Sequence, residues 1–168
     1  MSVPLPVVRA GRERFEVHLG PQERRILESI MRELLEALDD PAGRAPDGAL
    51  ARLYPAAFPD DPSASADFAA LVHADLTATR RERMAVVEST VDAESLDETQ
   101  ATAWLGALND ARLVLGTSLG VTDDDPGDAA GEDDPEAMRH AVYAYLGWLV
   151  GAFTDALAEG LPAVPDEA

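Results

Sequence analysis

The stretch from Gln100 to Thr122 limits the possible folds of this chain most, because it carries only two charges, Asp110 and Arg112. Its large apolar residues recur at steps of three and four, the period of an α-helix. These residues are Trp104, Leu105, Leu108, Leu115 and Leu119. A helix that is apolar nearly all round is buried by its neighbours. We therefore expect a central helix in a mainly α-helical fold.

Apolar periodicity and end signals predict four principal helices, at about 21–38, 65–91, 97–116 and 135–159. Pro21 suits the first helical position, and Ser65 or Asp67 suits the N-cap of the second helix. The sequence from Ser95 to Glu98 fits a capping box at the start of the central helix. The fold class that follows is a bundle of four helices.

Other segments do not fit helices. In residues 1–19, apolar and polar side chains alternate, which predicts a short β-hairpin. We expect a single domain, 1–168, whose helical bundle occupies residues 20–160. The prolines at positions 55, 59 and 62 exclude a regular helix there. We therefore expect a Pro-rich ordered loop that lies against the core. Residues 123–134 are acidic and predict a mobile loop, and residues 161–168 predict a fraying tail.

Composition limits the classes of function. The formal net charge is −19 over 168 residues, which repels phosphate backbones and disfavours nucleic-acid binding. Cysteine is absent, so disulfides and thiolate metal sites are excluded. No apolar leader follows a basic N-terminus, so we expect a cytoplasmic protein.

The last helix is uncharged from Ala141 to Phe153. Thirteen residues are too few to cross a membrane, so we expect no membrane association. The helix is then either interior or covered on its outer face by another subunit. Because aromatic residues are enriched at interfaces, we predict a homodimer contact at Tyr143, Tyr145 and Trp148.

No motif for catalysis or cofactor binding is present. The three histidines, His18, His73 and His140, lie on separate predicted elements, and no ligand spacing links them. The acidic run after Asp123 has Asp128 where an EF-hand loop needs its glycine. We therefore predict no catalytic residue, no metal site, no cofactor and no enzyme activity.

One polar constellation stands inside the central helix, at Asn109, Asp110 and Arg112. Buried charges need partners. The Pro-rich loop offers Arg52 for Asp110, and Asp60 or Asp61 for Arg112. We consider two interpretations of these six residues: a structural clamp that holds the loop on the core, and a recognition site.

Several strings resemble an actinobacterial family of unknown function. They are Arg52-Leu-Tyr-Pro55, Pro59-Asp-Asp61, Trp104-Leu105, Leu108-Asn-Asp-Ala-Arg-Leu-Val-Leu-Gly116 and Val142-Tyr143 with Leu146. The resemblance covers roughly residues 5 to 160. Such proteins are often encoded beside the Clp protease adaptor, and some are described as oxidative-stress regulators that use a cysteine pair and bind a sigma factor. Because this chain has no cysteine, the resemblance implies partner binding but not the redox mechanism.

Two hypotheses for function follow. The first is a non-enzymatic regulatory protein that binds another protein, a component of transcription or proteolysis. The alternative is a small-molecule-binding or hydrolytic bundle with its site at the Pro-rich loop over Arg112. An open pocket that holds Asp61, Asn109 and Arg112 favours the alternative.

Overall fold

A computed structural model describes residues 5–40, 44, 48–121 and 135–160. The elements in these ranges, in chain order, are β1 (Val7–Arg9), β2 (Arg14–Val17), α1 (Pro21–Asp39), α2 (Pro62–Thr90), β3 (Ser95–Asp97), α3 (Glu98–Ser118) and α4 (Pro135–Ala158). The fold is mainly helical, with four helices and a small antiparallel sheet of three strands in the order β1-β2-β3. The predicted fold class is confirmed.

The sheet contains one strand more than the predicted hairpin. Val8 pairs with Glu16, and Phe15 pairs with Leu96 of β3. Alternation along β2 buries Phe15 and Val17 on the core face, the period expected of a strand with one wet face. The capping box that the sequence places at Ser95–Glu98 lies two residues later, with Asp97 as the N-cap and Gln100 as its partner, and Ser95–Asp97 forms β3.

The central position of α3 is confirmed. This helix packs against α1, α2 and α4 as well as the sheet. Trp104 is fully buried, its ring stacks on Phe153 with centroids 5.6 Å apart, and its Nε1 donates a hydrogen bond to Thr90 Oγ1 at 2.8 Å. One indole therefore ties α3 to α2 and α4, and its N–H has the partner that a buried indole needs.

Two helix ends differ from the predicted ones. Asp61 is the N-cap of α2, where its carboxylate accepts from Ala64 N at 2.9 Å, so the predicted caps Ser65 and Asp67 lie inside the helix. Pro62 takes the first helical position, which suits a residue without an N–H. The helix α3 continues through Gly116, and the chain turns at Gly120, whose φ of +67° favours glycine.

The first half of α2 is much more exposed than its apolar pattern predicts. No residue from Pro62 to Thr79 is buried, whereas Met84 and Val87 in the second half are. Its exposed apolar residues include Phe68, Leu71 and Leu76, which the helical pattern alone would place on the buried side. The predicted mobile loop at 123–134 and the tail at 161–168 lie outside the described residues.

Candidate interaction site

Asp110 is a buried charge on α3, 5% exposed, and it faces α2. Its Oδ2 lies 3.5 Å from Nε of Arg80. The predicted partner, Arg52, instead donates a hydrogen bond to the carbonyl oxygen of Val121. The prediction that Arg52 pairs with Asp110 is therefore wrong, because the neighbouring helix supplies a closer cation.

Arg80 connects this carboxylate to the Pro-rich loop. Its Nη2 donates to the Leu53 carbonyl oxygen at 2.8 Å, and its guanidinium carbon lies 4.8 Å from the centroid of the Tyr54 ring. The Tyr54 hydroxyl in turn is 2.7 Å from the Thr77 hydroxyl on α2. We call Arg80, Asp110, Leu53 and Tyr54 the Arg80 clamp. Of the six residues predicted to form a clamp or a recognition site, Asp110 alone belongs to it, and Arg80 was not among the six.

A signal for Arg80 was present in the sequence. It comes four residues before Met84, so the two residues share one helix face, and Met84 is fully buried. A long side chain on such a face can cover apolar surface while its head reaches polar partners.

The electrostatics of the clamp are those of a buried, imperfectly matched pair. Burial raises the pKa of Asp110, and the charges of Arg80 and Arg83 only partly counteract it. Within the described residues, neither Oδ2 of Asp110 nor Nε of Arg80 makes a hydrogen bond, so the two groups attract by charge without good alignment. Nearby, burial and then the charges of Arg44 and Arg80 lower the pKa of His73.

Arg112 faces away from the clamp, toward α4. Its guanidinium carbon lies 5.0 Å from the centroid of the Tyr143 ring, a distance typical of a cation–π contact. Neither Asp60 nor Asp61 forms an ion pair with it within the described residues. Asp60 is exposed and Asp61 caps α2, so the prediction of an Arg112 pair with either one is wrong.

The proposed recognition residues are therefore divided among different neighbours. Asp110 faces α2, Arg112 faces α4, and Asn109 is half-buried between them. The contacts do not unite Asp61 and Arg112 in one site. Within the ranges that the structure describes, no three His, Asp or Glu side chains cluster closely enough to hold a metal ion.

A groove runs between α1 and α4, over the surface of α3. It encloses about 520 Å³ and is lined mainly by apolar side chains from the three helices. Glu33 lies at its α1 side and Arg139 at its α4 side. We call it the α1–α4 groove. The apolar periodicity of the sequence predicted the helices that form its walls, but it did not predict that α1 and α4 stand apart.

A second feature is an apolar surface around the first half of α2. Phe58 and Phe68 meet edge to face with centroids 6.1 Å apart, and Leu71 and Leu76 follow along the helix. All four are exposed, Leu71 to 78%. We call these four residues the α2 ridge. Clustered exposed apolar residues of this size mark interaction sites on soluble proteins.

The predicted dimer contact on α4 is divided between two faces of the helix. On one face Trp148 is 41% exposed, its ring centroid lies 5.8 Å from that of Tyr145, and the Tyr145 hydroxyl donates to Glu23 Oε1 at 2.8 Å. On the other face Tyr143 packs beneath Arg112. Among the described residues, α4 alone is long and apolar enough to cross a membrane by length and composition. Core helices of soluble proteins pass the same test, and Leu146, Leu149 and Phe153 are buried in the core.

Comparison with known proteins gives one match. The model of a family described as a domain of unknown function, DUF2017, matches residues 6–157. Searches of curated proteins and of solved structures found no match. Since the family model spans most of the chain, including both the Arg80 clamp and the α2 ridge, this protein belongs to the DUF2017 family.

Proposed function

We propose that this chain is a non-enzymatic, cytoplasmic regulatory protein that binds another protein through the α2 ridge. The observation that carries the proposal is the exposure of four large apolar side chains on and beside one helix, with Leu71 at 78%. Water-exposed groups of this kind stabilise a complex when a partner covers them.

The size of the ridge suits a specific but modest contact. Burying one large apolar side chain fully is worth about 2 kcal/mol, so the exposed parts of these four give roughly 4 kcal/mol. That free energy corresponds to roughly a thousandfold in Kd. The remaining affinity would come from polar contacts around the ridge, where Asp67 and Asp75 are also exposed. With a net charge of −19, the chain favours a basic partner surface.

The resemblance of the chain to actinobacterial oxidative-stress regulators supports a partner in transcription or proteolysis. The absence of cysteine means that redox control through a thiol pair is not part of the proposal. Binding itself needs no such pair.

The test is affinity purification of the tagged full chain from the organism that encodes it, with quantitative mass spectrometry. Three baits are compared: the natural chain, the double variant Phe68→Glu/Leu71→Glu, and the control Leu5→Glu. Leu5 is exposed and lies far along the chain from the ridge. We expect one protein that the natural chain and the control enrich equally and that the ridge variant loses at least about tenfold. A set of captured proteins that is identical for all three baits would refute the role of the ridge.

A further inference from the structure

We propose that the α1–α4 groove binds an amphipathic helix of a partner protein, one that carries a basic residue on the edge facing α1 and an acidic residue on the edge facing α4. The groove is a separate surface from the α2 ridge, so this inference does not depend on the proposed role of the ridge. It gives the chain a second binding surface and states the chemistry of the ligand that fits this surface.

The groove exists because α1 and α4 both pack on α3 but hardly on each other. One bridge between them is the hydrogen bond from the Tyr145 hydroxyl to Glu23 Oε1. Ile26 and Leu146 lie next to this bridge in the sequence, and both line the groove. This hydrogen bond therefore lies toward one end of the groove, and the lining extends from there to Ala37 and Met138.

The dimensions fit a short helix. The lining residues of α1 run from Ile26 to Ala37, and those of α4 run from Met138 to Leu146. At the helical rise per residue these spans are about 17 Å and about 12 Å, which is about two to three turns of a bound helix. The volume of about 520 Å³ accommodates the apolar side chains of such a helix.

The lining suits an apolar stripe. Ile30, Val114, Leu115 and Val142 are all half-buried, so they complete their burial only when the groove is filled. Met138 stands at the open end and is 68% exposed. Methionine adapts its shape to different ligands and is common at surfaces that accept helices. Filling of a hydrophobic groove by an amphipathic helix is an established mode of recognition between proteins.

The charged residues on the two walls of the groove determine which amphipathic helix it accepts. Glu33, on α1, and Arg139, on α4, both line the groove from opposite walls. Glu36 is exposed on α1 one turn after Glu33, so the α1 wall carries two acidic residues, whereas the α4 wall carries Arg139 with Glu136 one turn before it. A helix with a basic residue toward Glu33 and an acidic residue toward Arg139 satisfies both walls, and the reverse orientation places like charges together. The long-range field of a −19 chain further favours a ligand of net positive charge.

The test uses the full chain and a synthetic amphipathic peptide of about 18 residues, long enough to form a helix. The peptide carries leucines at positions i, i+3, i+4 and i+7, lysines on one flank and glutamates on the other, with lysine in excess. A control peptide has the same composition with the leucines scrambled. We expect calorimetry to give a Kd in the micromolar range for the first peptide and about a tenfold or greater preference over the scrambled one.

Three protein variants test the location and the charge preference of the site. Met138→Glu should weaken binding at least about tenfold, whereas Leu71→Glu on the α2 ridge should leave it unchanged. The charge reversal Glu33→Arg/Arg139→Glu should transfer the preference to a peptide whose lysine and glutamate flanks are exchanged. Circular dichroism checks that each variant keeps its helicity.

Several outcomes overturn the inference. They are equal binding of the scrambled peptide, no effect of Met138→Glu, or an unchanged flank preference after charge reversal. Displacement of a bound peptide by palmitate, with tighter binding of palmitate than of any peptide, would make the groove a lipid site instead. A concentration-dependent mass that Met138→Glu abolishes would assign the groove to a second copy of this chain.

Discussion

The Nε atom of Arg80 lies 3.5 Å from Oδ2 of Asp110, and this pair joins α2 to α3 beside the Pro-rich loop. The same guanidinium holds the Leu53 carbonyl oxygen and covers the Tyr54 ring. A single cation thus connects three parts of the chain, which makes it the first place to test the packing of the fold.

Replacing Arg80 should destabilise the protein more than replacing its partner. Arg80→Met leaves Asp110 buried without its counter-charge, and the free energy of unfolding should fall by about 3 kcal/mol. Asp110→Asn keeps the shape and removes a charge that burial already disfavours, so the loss should be only about 1 kcal/mol. Urea denaturation followed by circular dichroism measures both values.

The double variant Arg80→Met/Asp110→Asn tests the pair itself. Because it leaves no unpaired buried charge, it should be more stable than the sum of the two single losses predicts. Strictly additive losses would show that the two side chains do not interact.

The stability should depend on pH through His73. Burial, Arg44 and Arg80 lower the pKa of this imidazole in the folded protein below its usual 6.5, so the unfolded chain binds the proton more tightly. The contribution of His73 is fully present above the unfolded pKa and is lost as pH falls through the folded pKa. The free energy of unfolding should therefore decrease as pH drops from about 7 to about 5.

The variant that tests this prediction is His73→Gln. Denaturation curves across this pH range should show a weaker pH dependence for His73→Gln than for the natural chain. An equal slope for the natural chain and His73→Gln would contradict the prediction.

Two glycines of neighbouring helices should respond oppositely to alanine. A Cβ at Gly116 would lie 2.8 Å from Cε2 of Tyr143, whereas a Cβ at Gly151 would have no atom of the described part of the chain within 4 Å. Alanine favours a helix by about 1 kcal/mol over glycine, so Gly151→Ala should raise the melting temperature. Gly116→Ala should lower it, because displacing the Tyr143 ring costs about 1–3 kcal/mol and outweighs that gain.

Differential scanning calorimetry of dilute protein measures the melting temperatures of both variants. Equal shifts of the two melting temperatures would mean that α3 and α4 separate easily at this contact.

A homodimer through α4 stays a prediction, and it now depends on one aromatic residue. Trp148 is the exposed member of the three residues that we had assigned to the contact, so Trp148→Glu should convert a dimer to a monomer without loss of helicity. Light scattering at micromolar concentration gives the mass. A value near 17.9 kDa for the natural chain would refute the dimer.

Local patterns in the sequence predicted the elements well. The two charges within Gln100–Thr122 and its helical period marked α3 as central, and Pro21 marked the start of α1. These signals depend on residues that are close together in the sequence, so they can be recognised without the tertiary structure. The third strand was missed because Ser95–Asp97 is too short for alternation to distinguish it from a helix start.

Contacts between elements could not be predicted in the same way. Asp110 needed a cation, but whether Arg52 or Arg80 supplied it depends on how far α2 extends along α3, which no local pattern encodes. For the same reason the sequence did not predict the α2 ridge. Leu71 and Met84 are both apolar residues of α2, but only Met84 is buried in the core. Tertiary packing decides which apolar residues are covered.

The claim that the α2 ridge binds another protein can be tested most directly inside the cell. A photo-crosslinking benzoylphenylalanine replaces Leu71 in one strain and Leu5, which is also exposed, in a second strain. After irradiation, gel mobility and mass spectrometry identify the covalent products. Probes of this kind react only with groups in direct contact.

We expect a specific adduct between position 71 and a different protein, which is absent when the probe stands at position 5. An adduct that contains only a second copy of this chain, or the absence of any adduct specific to position 71, would show that the α2 ridge does not bind another protein.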